Sequence, residues 1–426
     1  MNTSERDKIA VWHPYANSEL YGTAIPITSA SGAYLFAEDG KKYIDAISSW
    51  WTAIHGHSHP HLVEKISQQL KTLDHVIFSG FTHEPAVRLA ERLLSRLPFS
   101  QKKIFYSDNG STAVEVALKM AFQYYSNRGE KRTKVIAFKN SYHGDTFGAM
   151  AVSGRGTFTR PFADLLFDVI YVDAPIKGNE ESALEELKIQ VAKHKSELAS
   201  FIFEPLVQGT AGMQMHESAA LSEMISICRE NSILTVADEV MTGFGRTGKF
   251  FASDFLSATA DIFCLSKGLT GGTMAMGVTS CSQQIFDAFQ GTDQYKTFFH
   301  GHSYTANPIA CSAALASLDL FEGETVFNDI NRISALHTAF VAKISGHKSV
   351  KEIRCKGTIL ALELQTKEVA SYFSDVRKII YTYFLEKGIL LRPLGNIIYL
   401  MPPYCISNED LNYIYEMIEQ FLKTID

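Results

Sequence analysis

The chain lacks the marks of several classes of protein. Only six of its 426 residues are cysteines (Cys228, Cys264, Cys281, Cys311, Cys355 and Cys405), and no two stand in a CxxC spacing, which argues against a disulfide framework or a thiolate metal site. No apolar run is long enough to span a bilayer, and the opening MNTSERDKIA has none of the apolar stretch of a signal peptide. The expectation is a protein of the reducing cytoplasm with no membrane partner. Blocks of like charge are also missing, and a formal net charge of -6 offers no surface to nucleic acid. Tryptophan is scarce: Trp12, Trp50 and Trp51 are the only three, all within the first 51 residues. There is no internal repeat and no low-complexity linker.

What is present is ordinary for a globular enzyme, with 46% hydrophobic and 20% charged residues in a length that exceeds a typical single core. Short apolar runs at 103–107, 135–138, 169–172, 201–203, 233–237, 262–265 and 275–279 alternate with helical patterns such as 182–195. That alternation predicts an α/β protein with a mostly parallel sheet covered by helices on both faces. In such sheets ligands gather outside the carboxyl ends of the strands.

The stretch 233–272 organises this reading. Its first apolar run ends at Asp238-Glu239 and its second at Ser266-Lys267, so an acid and a lysine are predicted at one edge of the sheet. A partly desolvated lysine loses its proton more easily and becomes a nucleophile toward an aldehyde. Pyridoxal phosphate is such an aldehyde, and its ring nitrogen needs a carboxylate partner, for which Asp238 is the candidate. Taken alone, the two residues read more readily as ordinary strand-end charges or a structural ion pair. Between them Gly243, Gly245 and Gly248 satisfy GxGxxG, but KFFASDF opens no clear amphipathic helix, and Phe250 stands where a P-loop needs a hydroxyl, so a nucleotide site at Gly243–Lys249 is the weaker alternative. Upstream, Gly110, Ser111 and Thr112 lie where the pattern AVEVALKMAFQYY begins a helix, and a helix N-terminus of this kind favours a phosphate. Ser111 or Thr112 as a plain N-cap is compatible with that role. Histidines alternate in HGHSHPH at 55–61, which on a strand would invite a metal; Gly56 and Pro60 argue for a loop, and no metal is expected.

The pair ADEVMTGFGRTGK and LSKGLTGG resembles the signature of the class III, fold-type I, pyridoxal-phosphate aminotransferases. The resemblance extends over almost the whole chain. It implies a large domain with a seven-stranded sheet at 61–310, a smaller α+β domain at 311–426, and an N-terminal segment, 1–60, that joins the smaller domain and the substrate cavity. It also implies a homodimer with sites at the interface. Carried over residue by residue, it makes Lys267, Asp238 and Tyr142 catalytic. Gly110, Ser111, Glu204, Gly301 and Ser303 join those three around the cofactor, the last two reaching the phosphate of the neighbouring subunit. Asn109 departs from the commoner DSGS wording, and His302 and Ser303 from HGPT. Arg246 matches a loop position whose role the resemblance leaves undefined. The motifs WHPY, SSWW, YHGDTFGAM and YLMPPY are most similar to members that act on 8-amino-7-oxononanoate with S-adenosylmethionine as donor, although relatives that use lysine leave the donor open. By that likeness Tyr15, Trp50, Trp51, Tyr142, Lys267, Gly301, Arg392 and Tyr399 bind substrate, with Arg392 on its carboxylate. The runner-up is a class III enzyme of the ornithine, 4-aminobutyrate or diamine type.

Overall fold

A computed structural model describes residues 1–16, 24–366 and 375–425. Its centre is built from seven strands: β1 (Gln101–Ser107), β2 (Lys134–Phe138), β3 (Val169–Val172), β4 (Leu198–Phe203), β5 (Leu234–Asp238), β6 (Ile262–Leu265) and β7 (Gly277–Ser282). They lie in the order β1-β7-β6-β5-β4-β2-β3, and β7 alone runs antiparallel to its neighbours. The strands read as unbroken apolar runs because both faces are covered: every residue of β4, β5 and β6 is buried. Alternate side chains feed two separate cores, with Phe201, Phe203 and Phe263 in one and Ile202, Val236 and Ile262 in the other. The seven strands fall close to the expected runs. The last begins at Gly277 rather than 275 and continues to Ser282, because it pairs along its length with both β1 and β6.

The helix Gly110–Asn127 covers one face, burying Val114, Ala117, Leu118 and Ala121. Its cap is Asn109, whose side chain accepts from the Thr112 N–H at 3.0 Å while Thr112 Oγ1 accepts from the Asn109 N–H at 3.0 Å. Ser111 is therefore not the cap. The two ends of the chain meet in a smaller sheet, where Ile27–Ser31, Tyr34–Ala37 and Lys42–Asp45 are joined by Ile389–Leu390 in parallel. A third sheet holds Val350–Lys356, Ile359–Leu364 and Ile397–Leu400. No helix among the described residues is long and apolar enough to cross a membrane. The alternating histidines diverge: His55 meets Ser317 at 3.0 Å, His57 meets Asp45 at 2.8 Å and His61 meets Asp319 at 2.8 Å.

The glycine-rich loop 243–249 is a seat for the third sheet. Thr358 donates its N–H to Arg246 O at 2.9 Å. Gly357, at φ +58, fits so closely that a Cβ there would lie 2.3 Å from the Thr247 carbonyl carbon and 2.6 Å from Arg246 O. Gly346 has φ +80, and a Cβ added to it would meet nothing within 4 Å, so it isolates the backbone effect. Positive φ at a non-glycine residue costs about 1–3 kcal/mol. Gly346→Ala should lose about that much stability, and Gly357→Ala distinctly more. Equal thermal midpoints for the two variants would contradict the close seating.

Candidate active site

The carboxyl ends of β5 and β6 open into a cavity of about 680 Å³. Asp238 is the last residue of β5, and Lys267 follows β6 by two residues. Lys267 stands at φ +47, a left-handed conformation that a long side chain adopts only under restraint. Ser266 supplies part of that restraint through its Oγ, which donates to Met276 O at 2.7 Å. The Lys267 Nζ lies 4.7 Å from the centre of the Trp51 ring, and no carboxylate closes on it as an ion pair among the described residues. Burial pushes its pKa down to about 8, against the pull of Asp238 and Glu204 and with a small push from Arg246. Near pH 7 roughly a tenth of the amine is then the unprotonated nucleophile, a few hundred times more than for a lysine of ordinary pKa.

Two buried carboxylates flank it. Asp238 Oδ2 lies 2.6 Å from His143 Nδ1, and its Oδ1 accepts from the Val240 N–H at 3.1 Å. His143 keeps its other ring nitrogen, Nε2, buried without a partner among the described residues. Glu204 accepts from the N–H of Tyr142 at 3.0 Å and of Gly209 at 2.9 Å. Burial raises its pKa to about 7, with Asp238 adding to the rise and His143 opposing it. It therefore ties the Tyr142 loop to the strand end below it. The pairing of His143 with Asp238, 95 residues apart in the chain, carried no sequence signal.

The N-terminus of the helix Gly110–Asn127 forms another wall. Its cap uses the Thr112 N–H and leaves those of Gly110 and Ser111 uncapped. A Cβ on Gly110 would stand 2.7 Å from Val240 Cγ1, and one on Gly144 2.0 Å from Ser111 Oγ, so both glycines permit this end to close against the strands. Pyridoxal phosphate needs an amine for its aldehyde, a carboxylate for its ring nitrogen and donors for its phosphate. Lys267, the buried Asp238–His143 pair and the free N–H groups at Gly110 and Ser111 present those three features in one cavity.

An aromatic rim completes the site. Trp51 donates its Nε1–H to Tyr399 Oη at 3.0 Å, and the two rings meet edge to face at 6.1 Å. Trp50, 42% exposed, packs against Tyr15 at 5.5 Å and carries the Arg392 guanidinium 4.7 Å above its ring. The Tyr15 hydroxyl lies 3.2 Å from that of Tyr142 and donates to Asp145. Arg246 proves to be fully buried: it donates to Pro402 O at 2.9 Å, Met401 O at 3.4 Å and Trp51 O at 3.3 Å, stapling SSWW to MPPY. Gly301 and Ser303 lie apart from this assembly, on exposed backbone outside the cavity.

The lowered lysine pKa has a checkable consequence in the protein without cofactor. The unfolded chain binds the Lys267 proton up to about pH 10.5 and the folded one only up to about 8, so stability rises with pH across that window. Lys267→Met should abolish this rise and be more stable than the wild type below pH 8. Reductive labelling of Lys267 with a small aldehyde should have its midpoint near pH 8 as well; a midpoint near 10.5 would contradict the desolvated amine.

Residues 15–422 match the family Aminotransferase class-III. The chain is 41% identical to the adenosylmethionine-8-amino-7-oxononanoate aminotransferase of Synechococcus elongatus, over 97% of this chain and 99% of that one. It is 38% identical to the protein of that name from Geobacter sulfurreducens, over 98% and 97%. Among solved structures, the adenosylmethionine-8-amino-7-oxononanoate aminotransferase of Methanocaldococcus jannaschii superposes with a TM-score of 0.94 at 36% identity, covering 99% of this chain and 98% of that one. An amine transaminase from an uncultivated Pseudomonas species, in its PLP-bound form, gives 0.91 at 30% identity over 96% and 97%. With the whole fold and the family's sequence pattern in agreement, the chain belongs to the class III aminotransferases.

Proposed function

We propose that this enzyme uses pyridoxal phosphate to convert 8-amino-7-oxononanoate to 7,8-diaminononanoate in biotin biosynthesis, with S-adenosylmethionine as amino donor. The observation that carries the reading is the rim: an aromatic wall from Tyr15 to Trp50 ends in a cation, Arg392, 4.7 Å above the indole. A keto acid whose carboxylate is separated from its carbonyl by a methylene chain matches that profile. The names of relatives at 34–41% identity over nearly the full chain support it.

When bound, the cofactor supplies an aldehyde that takes up an amino group and a protonated ring that accepts electrons from the carbon losing its hydrogen. The chain's residues do the rest. Lys267 would hold the cofactor through its amine and, when that amine is free, would move the proton at the reacting carbon. Asp238 would keep the ring nitrogen protonated, and His143 at 2.6 Å fixes the orientation of that carboxylate. Gly110 and Ser111 take the phosphate at the helix N-terminus. Glu204 acts through the loop of Tyr142, a cavity-lining ring that would cover the cofactor and contact substrate. Trp51 and Tyr399, joined at 3.0 Å, form an aromatic wall that excludes water. Arg392 grips the carboxylate with two parallel N–H groups.

The exposed positions of Gly301 and Ser303 suit a cytoplasmic homodimer in which each subunit lends them to its neighbour's phosphate. In that arrangement, mixing inactive Lys267→Ala subunits with Ser303→Ala subunits restores one intact site per hybrid. Confirmed hybrids without recovered activity would sink the shared site.

Hydrogen bonds to charged groups contribute roughly 1.5–3 kcal/mol, so Arg392→Ala should weaken use of the keto acid by about tenfold to hundredfold. The half-reaction with S-adenosylmethionine should change little. Single-turnover rates for the two half-reactions separate these cases, and an equal loss in both would remove Arg392 from the acceptor's carboxylate. A wild-type enzyme that ignores the keto acid and transaminates ornithine or 4-aminobutyrate would instead favour the other class III reading.

A further inference from the structure

Trp50 and Trp51 stand on a turn that L-residues rarely adopt. Ser48, Ser49 and Trp51 have φ of +52, +59 and +66. Ser49 combines its φ with ψ -92, close to the rare and strained form of the three-residue turn. The restraint is a carboxylate. Asp45, fully buried at the end of the strand Lys42–Asp45, accepts from the Ile47 N–H at 3.1 Å through Oδ1 and from the Ser49 N–H at 2.6 Å through Oδ2. His57 Nε2 lies 2.8 Å from the same Oδ2, which compensates the buried charge.

Asp45 also stands at a fork. In the parallel pairing of the terminal strands it is opposite Leu390, and the next residue, Ala46, donates its N–H to Leu390 O at 3.0 Å. Two residues beyond Leu390 the chain reaches Arg392. One branch from this junction thus carries Trp50 and the other Arg392, and they meet again with the guanidinium 4.7 Å above the indole.

We propose that Asp45 is a positioning residue for the carboxylate end of the acceptor, acting through the strained Ser48–Trp51 turn to set Trp50 beneath Arg392. This rests on the substrate reading above. Asp45 is fully buried and does not line the cavity. Strain stored at a substrate wall, rather than relieved by a glycine, is the signature of a conformation held for function.

The test uses the holoenzyme. An amide has one acceptor oxygen where the turn uses two, so Asp45→Asn leaves either Ile47 or Ser49 facing an NH2 group. The KM for the keto acid should rise about threefold to tenfold, the range that follows from one lost hydrogen bond. The donor half-reaction should stay within about twofold. Ser49→Gly provides a second variant that is not at risk of misfolding, since glycine relieves the positive φ. It should raise or preserve the thermal midpoint while weakening calorimetric binding of the keto acid, a divergence that a merely structural role would not produce. Combined with Arg392→Ala, Asp45→Asn should add little, because both act on one contact. An unchanged KM in both single variants, equal losses in the two half-reactions, or full additivity overturns the inference. A wild-type enzyme that does not use the keto acid overturns the proposed function and this inference with it, whereas unselective variants of an enzyme that does use it overturn the inference alone.

Discussion

A lysine amine held out of water, with no ion-pair partner among the described residues, is the constraint on which the site depends. Burial is the largest cause of a Lys267 pKa that falls to about 8, and the two nearby carboxylates offset only part of it. The backbone is shaped to keep it so. Lys267 sits at φ +47 directly after a buried strand, and Gly272, at φ +82, lets the following loop approach the Trp51 segment: a Cβ there would be 2.7 Å from the Ala53 N. The glycines of SKGLTGG therefore permit an aromatic segment from the distant N-terminal region to close over the amine.

Two buried charges of opposite sign hold that segment from either side. Arg246 binds main-chain carbonyls of Trp51, Met401 and Pro402, while Asp45 binds main-chain N–H groups of Ile47 and Ser49. Each charge is costly to bury, and each is compensated by backbone dipoles, those of the Ser48–Trp51 turn and its flanks for Asp45 and those of Trp51, Met401 and Pro402 for Arg246. The arrangement spends folding free energy on the shape of a cavity wall. A scaffold that only needed a stable core would fill these positions with apolar side chains.

Much of the fold was legible because the strands of a doubly covered sheet are continuous apolar runs, and their ends mark the ligand edge. Asp238 and Lys267 could be placed at that edge from the letters alone. The antiparallel direction of β7 could not be, since a strand buried on both faces reads the same in either direction. Asn109 looked like a departure in a phosphate loop and is in fact the helix cap, a role that depends on its reciprocal bonds with Thr112. His143 and Asp45 stayed hidden for a different reason. Their partners, Asp238 and the Ser48–Trp51 turn, are set by tertiary contacts, and a histidine in YHGD or an aspartate in YIDA has many uses. Arg246 gave no signal of its buried position because its partners are carbonyl oxygens, which every residue possesses.

The central claim is that Lys267 carries the cofactor. Borohydride reduction of the yellow holoenzyme, followed by peptide mapping, tests it directly, since only the lysine already joined to the cofactor becomes permanently labelled. The account predicts one labelled peptide, containing Lys267 in LSKGLTGG, and loss of the visible absorption band on reduction. A label on any other lysine, or no label at all, would contradict it.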